Sequence, residues 1–224
     1  MNTATRWETP MKPVLLALFV AAVMLTDGCA NLGRSRDLAN PKVPASVLAQ
    51  QVCSNCHGVT GSATSPNFPN LAAQVEPYVT AQLNGFKSHS RHDPAGFEYM
   101  WGLSRSLTDD QIKGLAAYYT VQTPKRQRIE GDRRRIDAGK AVFQEGGAAK
   151  GVPACAGCHG PEAAGYATFP RLAGQHADYI VKQLMVFQRT DERPEGSIMK
   201  VVAHDLTKEN IHDVAAYLQA LPNL

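Results

Sequence analysis

The 224-residue sequence predicts an all-α fold in which one small helical unit occurs twice in tandem. Three observations carry that expectation: blocks of residue identity recur about 100 positions apart, amphipathic helical stripes recur with them, and no sustained alternating strand pattern is present. Cys53-Ser54-Asn55-Cys56-His57-Gly58 is echoed by Cys155-Ala156-Gly157-Cys158-His159-Gly160. Asn67-Phe68-Pro69-Asn70-Leu71-Ala72-Ala73-Gln74 matches Thr168-Phe169-Pro170-Arg171-Leu172-Ala173-Gly174-Gln175, and Met100 through Tyr118 matches Met199 through Tyr217. The offset changes slightly between blocks, as loop insertions require.

Composition sets outer bounds. Hydrophobic residues make up 44% and charged residues 19%, with 18 Gly and 14 Pro, a balance that argues against disorder, a collagen-like fibre and a polytopic membrane protein. A net charge of +3 and a pI of about 8.6 are too mild to imply a nucleic-acid partner.

Taken in chain order, residues 1–28 read as an export signal. Arg6 and Lys12 accompany an apolar run from Val14 to Leu25, short of the roughly 20 residues of a membrane span and suited to a signal's apolar core. Translation from Met11 would give the more usual opening. Gly28-Cys29 resembles a lipoprotein cleavage site with Cys29 as the lipidated residue, although Thr26 stands where such signals have Leu and Asp27 is an unusual neighbour. An uncleaved anchor and ordinary cleavage nearby are the alternatives. Each places the rest of the chain outside the cytoplasm, on the periplasmic side of a bacterial membrane, with residues 29–43 as a tether.

The first unit is expected over 44–123 and the second over 137–224. Ile112, Leu115, Ala116 and Tyr119 fall at helical spacing, as do Ile211, Val214, Ala215 and Leu218. Thr108 with Gln111 has the spacing of a capping box, and Thr207 is the equivalent cap. Tyr78–Phe86 and Tyr179–Phe187 supply a further helix in each unit. Between the units, 124–136 reads as a basic linker: Lys125 to Lys140 carries seven cations against three anions, either a solvated connector or a docking surface for an acidic partner or anionic membrane.

The chemistry lies in the Cys-x-x-Cys-His pentapeptides. On a helical turn, residues i and i+3 share a face about 5–6 Å apart, so Cys53 with Cys56, and Cys155 with Cys158, can each add to the two vinyl groups of one haem. His57 and His159 then lie against the ring and offer a nitrogen to iron. A thioredoxin-like reading lacks its βαβ context, paired zinc knuckles would stand 15–20 residues apart, and disulfides would not require a His after both pairs. The repeated Met100 and Met199, 43 and 40 residues after their His, are expected as sixth ligands in helix-poor segments; each would otherwise be core filler. Met/His ligation raises the reduction potential and leaves no open position. His89, His92, His176, His204 and His212 have no aligned counterparts, which argues against bis-His ligation, and Met185 reads as core. Pro69 and Pro170, 12 and 11 residues after their His, are expected to present backbone carbonyls to the second imidazole N–H, or else to be turn prolines alone.

With these residues in view, the chain from about residue 45 to 224 resembles the two-haem cytochromes of the cytochrome c4 type. The resemblance rests on both Cys-x-x-Cys-His-Gly sites, both Phe-Pro-x-Leu-Ala-x-Gln segments, and Met100 and Met199 ahead of the final helices. It implies two tandem class I cytochrome c domains, each a helical shell around one covalent haem, with ligand pairs His57/Met100 and His159/Met199 and loop carbonyls at Pro69 and Pro170. It also implies a carrier of single electrons between redox proteins in a respiratory chain, with a membrane haem-copper oxidase as acceptor and no substrate chemistry of its own. A lipidated Cys29 would make this a tethered variant. The first unit departs from the pattern in having Pro44-Ala45-Ser46 where the second has Gly139-Lys140, so its N-terminal helix is expected to start differently. The alternatives are a haem subunit of a dehydrogenase complex and a two-haem peroxidase, which would need one displaceable iron ligand.

Overall fold

A computed structural model describes residues 35–94, 96–125, 132–147 and 151–221; the expected signal and Cys29 lie outside the described residues. In the first unit α1 (Ala45–Leu48) runs through a π-helical turn (Ala49–Cys53) directly into α2 (Ser54–His57). There follow α3 (Glu76–Lys87), a π-helical turn (Gly96–Met100) leading into α4 (Trp101–Ser104), and α5 (Asp109–Thr120). The second unit repeats this order with α6 (Arg133–Glu145), α7 (Ala156–His159), α8 (Ala177–Arg189), a 3-10 turn (Pro194–Gly196) leading into α9 (Ser197–Ala203), and α10 (Lys208–Ala220). Among the described residues, extended pairing is confined to an isolated bridge between Tyr166 and Phe169.

The two C-terminal helices organise their halves. α5 packs on α1 and α3, and α10 packs on α6 and α8. Their apolar stripes are buried: Ile112, Leu115, Ala116 and Tyr119 in one half, Ile211, Val214, Ala215 and Leu218 in the other. Each fully buried Leu or Ile contributes about 1.5–3 kcal/mol from apolar burial. Both helices start at a closed capping box. Thr108 Oγ1 accepts from the Gln111 N–H at 3.2 Å and Gln111 Oε1 accepts from the Thr108 N–H at 3.0 Å; Thr207 and Asn210 repeat the exchange at 3.1 and 3.4 Å.

Three expectations change. The tether expected over 29–43 is folded from Ser35 onward. Gln111 Nε2 donates to the carbonyls of Asn40 and Val43 at 3.0 and 3.1 Å, Val43 joins the first core, and Ser35 Oγ donates to Gln51 Oε1 at 2.6 Å. The basic stretch 124–136 is not linker throughout, because Asp132 caps α6 by accepting from the Arg134 N–H at 3.0 Å, which draws Arg133, Arg134 and Arg135 into a helix. The methionine segments are helical rather than helix-poor: Met100 closes a π-helical turn and Met199 lies within α9. Small residues and turn signals between helices mask such short helices in sequence, where periodicity needs several turns to register.

The halves meet through buried polar contacts. Arg91 and Arg193 are 3% and 6% exposed and share two glutamines across the boundary. Gln82 Oε1 accepts from Arg91 Nη1 and, at 2.9 Å, from Arg193 Nη2. Gln183 Oε1 accepts from Arg193 Nη1 at 2.6 Å and from Arg91 Nη2 at 3.4 Å. Each guanidinium also lies over its own half's ring, Phe86 at 4.4 Å and Phe187 at 4.6 Å, a cation–π placement strengthened by desolvation. Asp93 holds Arg91 Nε at 2.8 Å and Glu195 holds Arg193 Nε at 3.0 Å.

Candidate functional site

In both halves the Cys-x-x-Cys-His segment forms one helical turn ended by a left-handed glycine, Gly58 at φ 75° and Gly160 at φ 80°. None of Cys53, Cys56, Cys155 and Cys158 is in a disulfide. Burial pushes the Cys53 and Cys155 thiols up to about 11, the opposite of the lowered value that a redox dithiol requires. The turn places each imidazole inward, His57 at 8% and His159 at 6% exposure. Burial holds both rings below the ordinary His pKa, against the opposing pull of the proline carbonyl hydrogen bond.

The second ring nitrogens are engaged alike. His57 Nδ1 lies 2.9 Å from the Pro69 carbonyl oxygen and His159 Nδ1 lies 3.0 Å from that of Pro170. A carbonyl only accepts, so Nδ1 carries the proton and Nε2 keeps its lone pair. The phenyl ring preceding each proline stands edge-on to the imidazole, Phe68 at 6.3 Å and Phe169 at 6.2 Å between centroids. Each ring is therefore fixed by a hydrogen bond and an aromatic contact supplied by one Phe-Pro step.

Met100 and Met199 are both partly buried, and Met199 packs against the second core. The Met100 carbonyl accepts from Ser104 Oγ at 2.6 Å. Large apolar side chains stand exposed around both, Phe97, Tyr99 and Leu103 by Met100 and Ile198 and Val201 by Met199. Met185 also packs against the second core. Of the remaining histidines, His176 is buried with Nε2 on the Ala63 carbonyl at 3.1 Å, and His89 stacks at 5.2 Å from Trp101.

These residues fit a covalently attached haem. The donor set is two unpaired thiols at i, i+3, an imidazole with a free Nε2 lone pair, and a thioether among apolar side chains. An orphaned cation adds to the fit: Arg171, next to Pro170, is buried, and its Nε and Nη2 have no hydrogen-bond partner among the described residues. A haem carboxylate is the chemistry that would satisfy it. Among the described residues no group of three His, Cys, Asp or Glu is arranged to hold a bare metal ion, and no helix is long and apolar enough to cross a membrane.

The interdomain partners are not legible in the sequence. In the sequence, Gln74 and Gln175 mark only the duplication of the repeated blocks. Gln74 Nε2 donates to the Arg171 carbonyl at 3.0 Å and Gln175 Nε2 to the Asn70 carbonyl at 3.0 Å. Their repetition was the available signal; their partners, 97 and 105 residues away, were not.

Comparison with known proteins agrees with this geometry. The family profile described as cytochrome c matches residues 44–119 and 136–222. A cytochrome c4 of Pseudomonas aeruginosa is 35% identical over 207 residues, covering 90% of this chain and 98% of that protein. The solved cytochrome c4 structure of Acidithiobacillus ferrooxidans superposes with a TM-score of 0.68 at 39% identity, over 75% of this chain and 98% of that one. A protein of Thiomonas intermedia named thiosulfate dehydrogenase electron acceptor is 32% identical over 76% of this chain and 78% of its own length.

Proposed function

From the premise that this chain belongs to the cytochrome c4 family, and so is a carrier of single electrons with two covalent c-type haems, we propose that its ligand pairs are His57 with Met100 and His159 with Met199. Cys53 and Cys56 hold the first haem and Cys155 and Cys158 the second. When bound, each haem supplies a one-electron ferric–ferrous couple.

The chain's residues tune that couple in opposing directions. Hydrogen bonding from Nδ1 to the proline carbonyl makes each imidazole a stronger donor, which favours the ferric state, while a thioether ligand favours the ferrous. The Pro69 and Pro170 carbonyls hold the ring planes and keep the proton on Nδ1, leaving Nε2 for the iron. With haem bound, Arg171 would pair with a haem carboxylate, and the exposed apolar residues around Met100 and Met199 would cover the macrocycle against water.

For the setting, we read the N-terminus as an export signal with Cys29 the lipid-bearing residue, placing the carrier on the periplasmic side of the membrane. Its donor is a dehydrogenase and its acceptor a terminal haem-copper oxidase of a respiratory chain. A second reading, the dedicated acceptor subunit of one dehydrogenase, is supported by the similarity to the Thiomonas intermedia protein, which is named for that role.

The observation that carries the ligand reading is the pair of buried imidazoles with Nδ1 committed to Pro69 and Pro170 at 2.9 and 3.0 Å. A redox titration followed optically tests it. Two reversible one-electron steps, with the long-wavelength sulfur–iron charge-transfer band of the ferric form, are expected. Met100→Ala and Met199→Ala should each remove half of that band. A high-spin component in the unmodified protein would exclude one of the Met ligands and bring back the peroxidase alternative.

A further inference from the structure

We propose that each half positions the other half's iron-bound histidine: Gln74 acts on His159 and Gln175 acts on His57. The proposal rests on the reading of His57 and His159 as iron ligands, and it adds a coupling between them that runs through a single peptide unit on each side.

The peptide between Pro69 and Asn70 carries two hydrogen bonds. Its carbonyl oxygen accepts from His57 Nδ1 at 2.9 Å, and its N–H, on Asn70, donates to Gln175 Oε1 at 2.8 Å. Gln175 closes a second contact, donating from Nε2 to the next carbonyl, that of Asn70, at 3.0 Å. The other half repeats this. The Pro170 carbonyl takes His159 Nδ1 at 3.0 Å, the Arg171 N–H donates to Gln74 Oε1 at 2.7 Å, and Gln74 Nε2 donates to the Arg171 carbonyl at 3.0 Å. Both glutamines are buried, at 4% and 5% exposure.

A peptide unit is planar, so fixing its N–H also fixes the direction of its carbonyl. An amide whose N–H is donating also has a more basic oxygen, because hydrogen bonds in series polarise one another. Each glutamine therefore aims and strengthens the carbonyl that orients the opposite histidine. A stronger Nδ1–H bond raises ligand basicity and favours the ferric iron, so loss of the glutamine raises the potential of the other half's haem.

The halves are not equally dependent. The first loop has a further brace, since Asn70 Oδ1 accepts from the Ala63 N–H of its own half at 2.8 Å and Asn70 Nδ2 donates across the boundary to the Gly174 carbonyl at 2.9 Å. Arg171 replaces that amide in the second loop and makes no matching contact among the described residues. Gln74 therefore matters more to His159 than Gln175 does to His57.

The test uses the full two-haem protein, with the ring signals of His57 and His159 assigned by NMR so that each haem is followed separately through a redox titration. Gln74→Leu should raise the second haem's potential, by up to about a tenfold change in its reduction equilibrium or about 59 mV for one electron. It should also shift the His159 Nδ1–H signal while leaving His57 in place. Gln175→Leu should do the reverse, with a smaller change. Gln74→Glu keeps the accepting oxygen and should hold the second potential at or below that of the unmodified protein, a sign that general damage to the interface would not give. If Gln74→Leu does not assemble, Gln175→Leu and Gln74→Glu decide by the same rule. Shifts confined to the variant's own half, or equal in both, would overturn the proposal. Failure of the unmodified protein to show two steps and two such histidine signals would instead defeat the ligand reading beneath it.

Discussion

The two halves solve the same packing problem with their small residues exchanged. Where the N-terminal and C-terminal helices cross in the second half, Gly139 on α6 lies so close to α10 that a Cβ there would stand 1.9 Å from the Asp213 carbonyl oxygen. In the first half the glycine is on the other helix: a Cβ on Gly114 of α5, the counterpart of Asp213, would meet the Ala45 Cβ at 2.6 Å. The loop corners are exchanged too. Gly61 at φ 74° and Ala73 at φ 53° correspond to Ala163 at φ 51° and Gly174 at φ 73°. A Cβ on Gly61 would stand 2.7 Å from Tyr119 Cδ1, whereas the second half has Leu218 in the place of Tyr119 and buries Ala163 completely. The duplicated fold thus specifies a close approach or a left-handed corner, and either partner can supply the room.

The cores are unequal. Among the described residues twelve apolar residues are buried in the first half and fifteen in the second, so the first half is expected to depend somewhat more on its prosthetic group to fold. Removing attachment with Cys53→Ala/Cys56→Ala should lose one haem per chain and leave the first half unprotected in hydrogen exchange. Cys155→Ala/Cys158→Ala should lose the other haem yet leave residual protection along α10. Equal loss of protection in both would erase the contrast.

The acidic partners of the two buried arginines come next. Asp93 is fully buried beside Arg91, whereas the Glu195 side chain is 22% exposed beside Arg193. Removing one partner of a buried ion pair costs about 3–5 kcal/mol, so Asp93→Ala should destabilise far more than Glu195→Ala in denaturant unfolding. Burial alone would raise the Asp93 pKa, but the charge and hydrogen bond of Arg91, with Arg193 behind it, hold it below the ordinary value near 3.8. A carboxyl lowered in the folded state contributes stability above its unfolded pKa and loses it as pH falls through the folded one. Asp93→Asn should therefore flatten the acid limb of the stability profile below about pH 4; an unchanged limb would show that other carboxylates set it.

At the helix crossing, Gly139→Ala should cost about 3 kcal/mol or more because its obstacle is backbone, and Gly114→Ala about 1–3 kcal/mol because it presses on a single methyl of a short helix. Comparable thermal shifts in the two would show that the crossings are equally rigid. At the corners, Gly61→Ala should cost about 1–3 kcal/mol through overpacking on both the Ala72 backbone nitrogen and the Tyr119 ring, and the double change Gly61→Ala/Tyr119→Leu should recover only the Tyr119 part of it. The smallest effect is expected at Ala163→Gly, where relief of the left-handed conformation exceeds the added unfolded-state entropy by about 0.5 kcal/mol. A fall in melting temperature there would mean the alanine methyl contributes more by packing than it costs in strain.

Features within one or two helical turns were legible in the sequence. The Thr108–Gln111 spacing located the start of α5, and the Cys53–His57 and Cys155–His159 turns carried their chemistry in five residues. The Met100 and Met199 segments read as helix-poor in the sequence because a π-helical turn and a seven-residue helix are too short for a 3.6-residue period to emerge. The second duty of Gln111, which ties down Asn40 and Val43, was hidden by its capping role; the shorter Asn210 caps without that reach.

The sequence by itself determined the duplication, the helical class and the local haem-binding chemistry, because identity blocks, apolar periodicity and a pentapeptide motif all act over short range. Tertiary structure alone decided that Gln74 faces the Arg171 peptide, that Gln175 faces the Asn70 peptide, and that Arg91 and Arg193 share Gln82 and Gln183. Periodicity records that a side chain is buried but not which partner satisfies it. A buried amide must find a donor and an acceptor somewhere, and only the docking of the two halves settles where.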